Sequence, residues 1–535
     1  MPDVPAPWQT ALAALLLAIP LAYAAGAVVA TLGRGAHWRR ARRLSGLALS
    51  VALLAAAGVA VGGAANVHLA TLVPLGPLGD LSLSVRLDAL TAVMLVLVCF
   101  VGDAILRYSE PYLDGDAGQP RYLRWFLATL AAVTLIIVTD NLLVLALAWI
   151  GTSLALHQLL THYDDRAPAL VAAHKKFIAS RVADACLLTA ITLVGLEYGT
   201  LEISQVLQRA AGGGALPTSV QAAAVLLAAG AALKCAQLPV HGWLIQVMEA
   251  PTPVSALLHA GVVNIGGFLM IRLAPLVAPA EAAQTLLVVV GTATATLAAL
   301  VMMTRVSIKV ALAWSTCAQM GFMLLQCGLG AYSLALLHLV AHSLYKAHAF
   351  LSSGSTVEEW RATALTSPPA RAGLGRWFAA AALSVAGVAL VATAFGATPQ
   401  HEPALWVLAT VVALAATPMI VRGSTRGGDV LARTAALAAG VATLYFGWHA
   451  VANYVLPVPG AAAPPSPQRL AIALTGFGLL FALQSVMSAY PHGRVARALY
   501  PRLFAGLHLD ELFTRLTFRV WPARLPARDH AAPRA

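Results

Sequence analysis

Apolar positions along this chain come in long blocks separated by short polar or basic segments. The blocks fall at roughly 9–31, 45–63, 87–106, 123–139, 142–160, 176–196, 219–238, 252–275, 283–303, 308–327, 331–352, 377–396, 404–421, 432–454 and 468–489. A helix needs about 20 mostly apolar residues to cross the hydrocarbon core of a bilayer. The pattern predicts an all-α polytopic membrane protein with about 15 transmembrane helices. Residues 64–86 alternate weakly and carry Pro74 and Pro77, which predicts a short extended hairpin outside the membrane. Residues 455–467 are rich in Pro and read as a loop on the same side. After residue 490, Leu, Phe and Trp mix with Arg at loose helical spacing, which suits an amphipathic helix on a membrane surface or a solvated tail.

Composition supports the block reading. Of 535 residues, 59% are hydrophobic and 10% charged, where a soluble domain carries roughly 25% charged residues. A soluble enzyme, a secreted disulfide scaffold and a disordered tail are excluded. Cys99, Cys186, Cys235, Cys317 and Cys327 lie in apolar blocks without metal-ligand spacing, so no disulfide framework, iron–sulfur cluster, haem or other cofactor is expected in this chain.

The formal charge of +12 does not point to nucleic acid, because the basic residues sit in short loops as the positive-inside rule requires. Asp3 is the one charge before the first block and Arg34 the first basic residue, so the N-terminus is not a cleavable signal. Placing the N-terminus outside puts 34–43, 107–124, 161–181, 305–309, 361–376, 422–433 and 494–535 inside, with 28 of the 34 Lys and Arg. The outside segments hold four, Arg86, Arg209, Arg272 and Arg469. A missed or invented span would flip every later loop, so this asymmetry predicts a cytoplasmic C-terminal tail.

Lys234 and Lys346 lie inside blocks, where an ionisable group costs about 2.5–3.5 kcal/mol even on lenient insertion scales. In LHLVAHSLYKAHAFL, His338, His342 and Lys346 recur every four residues and line one helical stripe. Histidine exchanges protons near neutral pH, so the stripe predicts a proton relay; the bland alternative is hydrogen bonding between helices. In LKCAQLPVHGW, Pro239 removes a helical N–H close after Lys234. An interrupted helix beside a buried Lys is the pattern of a transporter midplane site, or else a kinked packing joint. In MEAPTPVSALLHAG, Pro251 and Pro253 suit the first turn of a new helix. Glu249 precedes that turn, where it can favour the positive end or take part in proton transfer, and His259 lies about two turns in. Arg181 and Asp184 are three apart and can pair on one helix face. His157, Asp103, Asp140, His174 and His348 are single signals, read as interfacial or structural.

In order and spacing, KCAQLPVHGW, APTPVSALLHA, TRVSIKVALAWSTCAQMGFM and LHLVAHSLYKA resemble the antiporter-like membrane subunits of respiratory complex I, the L-type subunit most of all, and of multi-subunit cation/proton antiporters. The resemblance covers about residues 85–360. It implies an antiporter-like fold with a discontinuous helix near Lys234–Pro239. By that likeness Lys234 is the buried Lys of the broken helix and His259 the relay His after it. His338, His342 and Lys346 match the central relay helix, and Arg181 and Asp184 the charged pair before Lys234. The implied organisation is N-terminal helices and outer hairpin over 1–122 and a first antiporter-like group over 123–275. A second, degenerate group follows over 283–421, then C-terminal helices over 432–489 and a cytoplasmic tail over 490–535.

Departures point to a subfamily. Trp149 is followed by Ile150, where the complex I subunit carries a Glu to pair with the buried Lys. No Lys follows Lys346, Ser307 stands where an acidic residue is expected, and the chain ends before a long lateral helix. Without those groups, ions are expected to come from outside through the first group, around Lys234, His259 and Asp184. The segments ALHQLL, HKKFIASRVAD and VMEAPTPVSALLHAGVVNIGG resemble the membrane subunits of the Dab inorganic-carbon accumulation complex. That resemblance implies a bacterial inner-membrane subunit that couples the cation or proton gradient to vectorial hydration of CO2. The chemistry would belong to a large cytoplasmic zinc-containing partner like β-carbonic anhydrase. The competing readings are a proton-pumping L-like subunit of an NADH, hydrogenase or antiporter complex, and a structural anchor.

Overall fold

The computed structural model describes residues 7–32, 37–212, 214–355, 372–455 and 464–522. The predicted loops at 361–376 and 455–467 and the last part of the tail lie largely outside these residues.

The first two blocks fold as α1 (Pro7–Leu32) and α2 (Trp38–Gly62), followed by strands β1 (Ala65–Pro74) and β2 (Asp80–Leu87). The strands pair antiparallel from Ala65↔Leu87 to Pro74↔Asp80, which gives the predicted hairpin. Next come α3 (Ala89–Tyr112), α4 (Gln119–Val138), α5 (Leu142–Leu160) and α6 (Ala167–Tyr198). Local caps set these boundaries. Asp88 accepts a hydrogen bond from Thr91 N at 2.8 Å to begin α3, and Asn141 accepts from Leu143 N and Val144 N to begin α5. Gly199, at φ 60°, ends α6 in the left-handed conformation that glycine adopts without strain.

After the short α7 (Ile203–Ala210), the chain runs through α8 (Thr218–Lys234), α9 (Gly242–Gln246), α10 (Thr252–Ala260), α11 (Ile265–Arg272) and α12 (Ala274–Val277). Long helices resume with α13 (Glu281–Met302), α14 (Ile308–Gly328), α15 (Tyr332–Leu351), α16 (Leu374–Ala394), α17 (Pro403–Ser424), α18 (Gly428–Val455) and α19 (Pro467–Ala489). The tail forms α20 (Arg494–Phe504) and α21 (Glu511–Val520). Crossings alternate between two faces, one carrying the hairpin and one carrying the tail. On the tail face Arg305, between α13 and α14, donates to the carbonyls of Leu503 and Phe504 at 2.6 and 2.8 Å.

Among the described residues, 13 helices are long and apolar enough to cross a membrane. Two predicted blocks fall outside that set, and they are the ones that carry Lys234 and Lys346. Block 219–238 yields α8, which stops after 17 residues at Lys234. Block 331–352 yields α15, 20 residues long and loaded with His338, His342 and Lys346. Both bury one face in the bundle, including Lys234 on α8 and His342 and Lys346 on α15.

One boundary differs from expectation. Helix α6 is 32 residues long and begins well before residue 176, so His174, Lys175 and Lys176 are buried in a helix rather than solvated in a loop. Charge argued for a loop there, but neighbouring elements supply partners that the local sequence does not reveal. Helices α13 and α14 pack closely because Gly291 and Gly321 face each other: a Cβ on Gly291 would lie 2.6 Å from the Gly321 carbonyl oxygen. Small residues at such contacts are how helices approach in a bilayer.

Candidate functional site

The chain leaves helical geometry immediately after Lys234. Ala236 takes a positive φ of 51°, and helix does not resume until Gly242. The break is braced from α11's side, where the Cys235 thiol donates to the Val263 carbonyl at 3.2 Å. Lys234 ends up buried. Its Nζ donates to the Trp149 carbonyl at 3.4 Å and sits 4.5 Å from the centroid of the Trp149 ring. Ile150 offers no carboxylate, and the direct contacts of the ammonium are the indole face and main-chain carbonyl of Trp149. A desolvated cation–π contact is worth about 2 kcal/mol.

Helix α6 surrounds this lysine with further charge. Arg181 Nη2 and Asp184 Oδ2 form the predicted pair at 2.7 Å, and Arg181 also lies 4.9 Å from the Phe177 ring centroid. Lys176, buried, donates to Ser153 O and Ser153 Oγ at 2.5 and 2.9 Å. It lies within electrostatic reach of Lys234, Arg181 and Asp184. This is the first cluster.

The second cluster is built on α15. His338 and His342 have ring centroids 6.1 Å apart, and His338 Nδ1 lies 3.0 Å from Gln326 Oε1. Lys346, fully buried, donates to the Leu312 carbonyl at 3.0 Å. His342 is within electrostatic reach of His338, Lys346 and His259. His259, from α10, stacks on Phe350 with centroids 4.4 Å apart and planes 19° apart. The sequence links His259 to Lys234 by proximity, but the fold delivers it to the Lys346 cluster. Among the described residues, neither ring nitrogen of His259 or His342 has a protein hydrogen-bond partner.

A second interruption joins the clusters. Residues Val262–Asn264 form one 3-10 turn between α10 and α11. There Asn264 Nδ2 donates to the Ala260 carbonyl at 3.0 Å and to Ser343 Oγ, next to His342, at 2.7 Å. The seam between clusters is therefore polar.

Glu249 is not brought to this interior. It pairs with Arg166 at 3.4 Å on the tail face, both side chains 41% or more exposed. Of the single signals, Asp103 pairs with Arg107 at 2.6 Å, and His348 is exposed. On the hairpin face Asp140 accepts from Ser204, and burial pushes its carboxyl up to about 6 against the pull of Arg86. His157 and His174 gather around Trp521, which stacks on His174 at 4.0 Å and 11°. Sequence reasoning missed Lys176, Asn264, and Lys175 with its tail partner Asp510. Only the doublet Lys175–Lys176 at the edge of an apolar block was a usable signal.

The family described as NADH:quinone oxidoreductase/Mrp antiporter, TM, matches residues 139–367. The complex I chain 5 N-terminus family matches 75–123. A relative named "Probable inorganic carbon transporter subunit DabB", from Hydrogenovibrio crunogenus, is 41% identical over 96% of each chain. "Probable inorganic carbon transporter subunit DabB2", from Halothiobacillus neapolitanus, is 41% identical over 96% of this chain and 94% of its own. NADH-quinone oxidoreductase subunit L of Mycobacterium tuberculosis is 36% identical over 54% of this chain and 45% of its own. In fold, the chain superimposes on the Mrp complex of Dietzia sp. DQ12-45-1b with a TM-score of 0.57 and 24% identity, over 95% of this chain and 57% of that one. An archaeal membrane-bound sulfane sulfur reductase chain gives 0.59 and 20%, over 94% and 99%. Likeness to the antiporter subunits thus runs through the broken helix and α15, while likeness to the carbon-transporter subunits runs almost end to end, and the chain belongs to the DabB family of antiporter-like membrane subunits.

Proposed function

We propose that the chain is the proton-conducting, energy-coupling subunit of an inorganic carbon transporter. It uses the cation or proton gradient to drive one-way hydration of CO2 to bicarbonate by a cytoplasmic zinc-bearing partner resembling β-carbonic anhydrase. The observation that carries this reading is the interior line of two clusters, Lys176, Arg181, Asp184 and Lys234, then His259, His338, His342 and Lys346. It occurs in a chain 41% identical to carbon-transporter subunits over 96% of its length. Intramembrane ionisable groups facing a bundle interior mark ion pathways by default, and the polar seam at Asn264 and Ser343 lets charge in one cluster bias the other.

In this reading the hairpin face is outside and the tail face cytoplasmic, as the distribution of Lys and Arg supports. Lys346 exchanges its proton with His342 while the Leu312 carbonyl holds the ammonium form. The tail face offers the partner Arg and aromatic side chains, residue types enriched at protein interfaces. The chain conducts and couples; hydration belongs to the partner.

The test is purification from bacterial membranes together with the chain's native neighbours, followed by mass and metal analysis. A large zinc-bearing soluble protein in the complex is expected. A zinc-free assembly with flavin or iron–sulfur subunits would move the chain to the redox reading that its partial likeness to subunit L suggests.

A further inference from the structure

The hairpin-face end of α15 carries a third set of polar side chains, separate from both clusters. Ser333 Oγ and His449 Nδ1 lie 3.2 Å apart, and His449 Nε2 lies 3.1 Å from Glu402 Oε1. The three residues come from α15, α18 and the position just before α17. Exposure falls inward along them: the Glu402 side chain is 38% exposed and that of His449 16%, and Ser333 is buried. Trp448 Nε1 donates to the Ser333 carbonyl at 3.4 Å and holds α18 against this turn. A second observation points to the same turn. A cavity of about 1000 Å³ on the hairpin face is lined by Tyr332, Ser333 and Leu336, with Arg86, Asp88 and Arg272 on its polar wall. Five residues separate Ser333 from His338, about 7.5 Å along the helix axis and roughly 140° around it.

We propose that Glu402 and His449 form the hairpin-face proton port of the Lys346 relay, delivering protons through Ser333 toward His338. The proposal rests on the proton-coupling reading above. Protonated Glu402 donates to His449 Nε2, the imidazolium releases its Nδ1 proton to Ser333 Oγ, and Ser333 passes its own hydroxyl proton to the next water. One proton moves inward and no other bond changes. With Ile150 in place of a Glu and no Lys after Lys346, the sequence points to ion entry around Lys234, His259 and Asp184. A His–Glu pair assembled from α18 and the residue that precedes α17 does the same work without a lysine.

The test uses right-side-out vesicles carrying the whole complex, loaded with an outside-acid pH jump and assayed for labelled inorganic carbon uptake. Glu402→Gln and His449→Gln keep hydrogen-bonding groups in place but cannot relay a proton. Each is expected to lower uptake roughly 10²-fold, the scale of losing a proton-transfer group, with unchanged amounts of complex in the membrane. Ser333→Ala is expected to do the same, and Glu402→Asp to retain most uptake. If the wild-type complex ignores the pH jump, the coupling reading falls and the port with it. If the wild type responds and Glu402→Gln, His449→Gln and Ser333→Ala match it, the port alone is overturned.

Discussion

Lys175 and Asp510, 335 positions apart in the chain, meet at 2.5 Å beneath the tail face. Lys175 is fully buried and Asp510 a quarter exposed. The same carboxylate accepts from Gln246 Nε2 at 3.1 Å and packs against Gly242, where any side chain would collide with it. One residue of the tail therefore ties α6 to the segment that follows the broken helix, and Trp521 adds its stack on His174. The tail is part of the site's architecture.

Removing that carboxylate leaves a buried ammonium without its counter-ion, which costs about 3–5 kcal/mol. Asp510→Ala is expected to release α20 and α21 from the bundle. Limited trypsin digestion should then cut at Arg494–Arg519 in the variant under conditions that leave the wild-type tail intact. A Lys175→Met, Asp510→Leu double variant should restore much of the protection, because the uncompensated charge is gone.

The contact between Lys234 and Trp149 makes a second prediction. Trp149→Leu removes the ring that faces the ammonium, at a cost of about 2 kcal/mol, or roughly a 30-fold change at about 1.4 kcal/mol per factor of ten. Inorganic carbon uptake should fall on that scale, while Trp149→Phe, which keeps an aromatic face, should lose less. Equal uptake in Leu and Phe variants would remove the ring from the account.

Proton exchange at Lys234 and Lys346 is separable from charge. Lys234→Ala and Lys346→Ala should abolish uptake with the complex still assembled. Lys346→Arg keeps a cation beside the Leu312 carbonyl, yet Arg cannot release its proton, so it too should fail. A Lys346→Arg strain growing normally on ambient CO2 would refute a mobile proton at this position.

On the hairpin face, Asp88 caps α3 and pairs with the buried Arg272 at 2.5 Å. Burial pushes its carboxyl up, but the guanidinium groups of Arg272 and Arg86 outweigh this and hold it well below the usual carboxylate range. The sign follows from linkage. A depressed folded value contributes stability above the unfolded value, near pH 4 for Asp, and that stability is lost as the pH falls through the folded value. Asp88→Asn keeps the cap but not the charge, so it should lower thermal stability in detergent at pH 7. The difference from wild type should shrink only under strongly acid conditions.

Much of this protein was legible before any packing was known. Blocks of about 20 apolar residues become helices because a bilayer leaves backbone groups no other partners. Relations within one helix were equally readable: His338, His342 and Lys346 on one stripe, Arg181 beside Asp184, and the break after Lys234 heralded by Pro239. Relations between helices were not. Trp149 under Lys234, Phe350 under His259, Asp510 on Lys175 and the reach of Glu402 through His449 to Ser333 depend on which helices touch and at what depth. The same physics explains the misplaced start of α6: a lysine belongs in a loop unless something distant compensates its charge, and only the tertiary structure supplies Ser153 and Asp510.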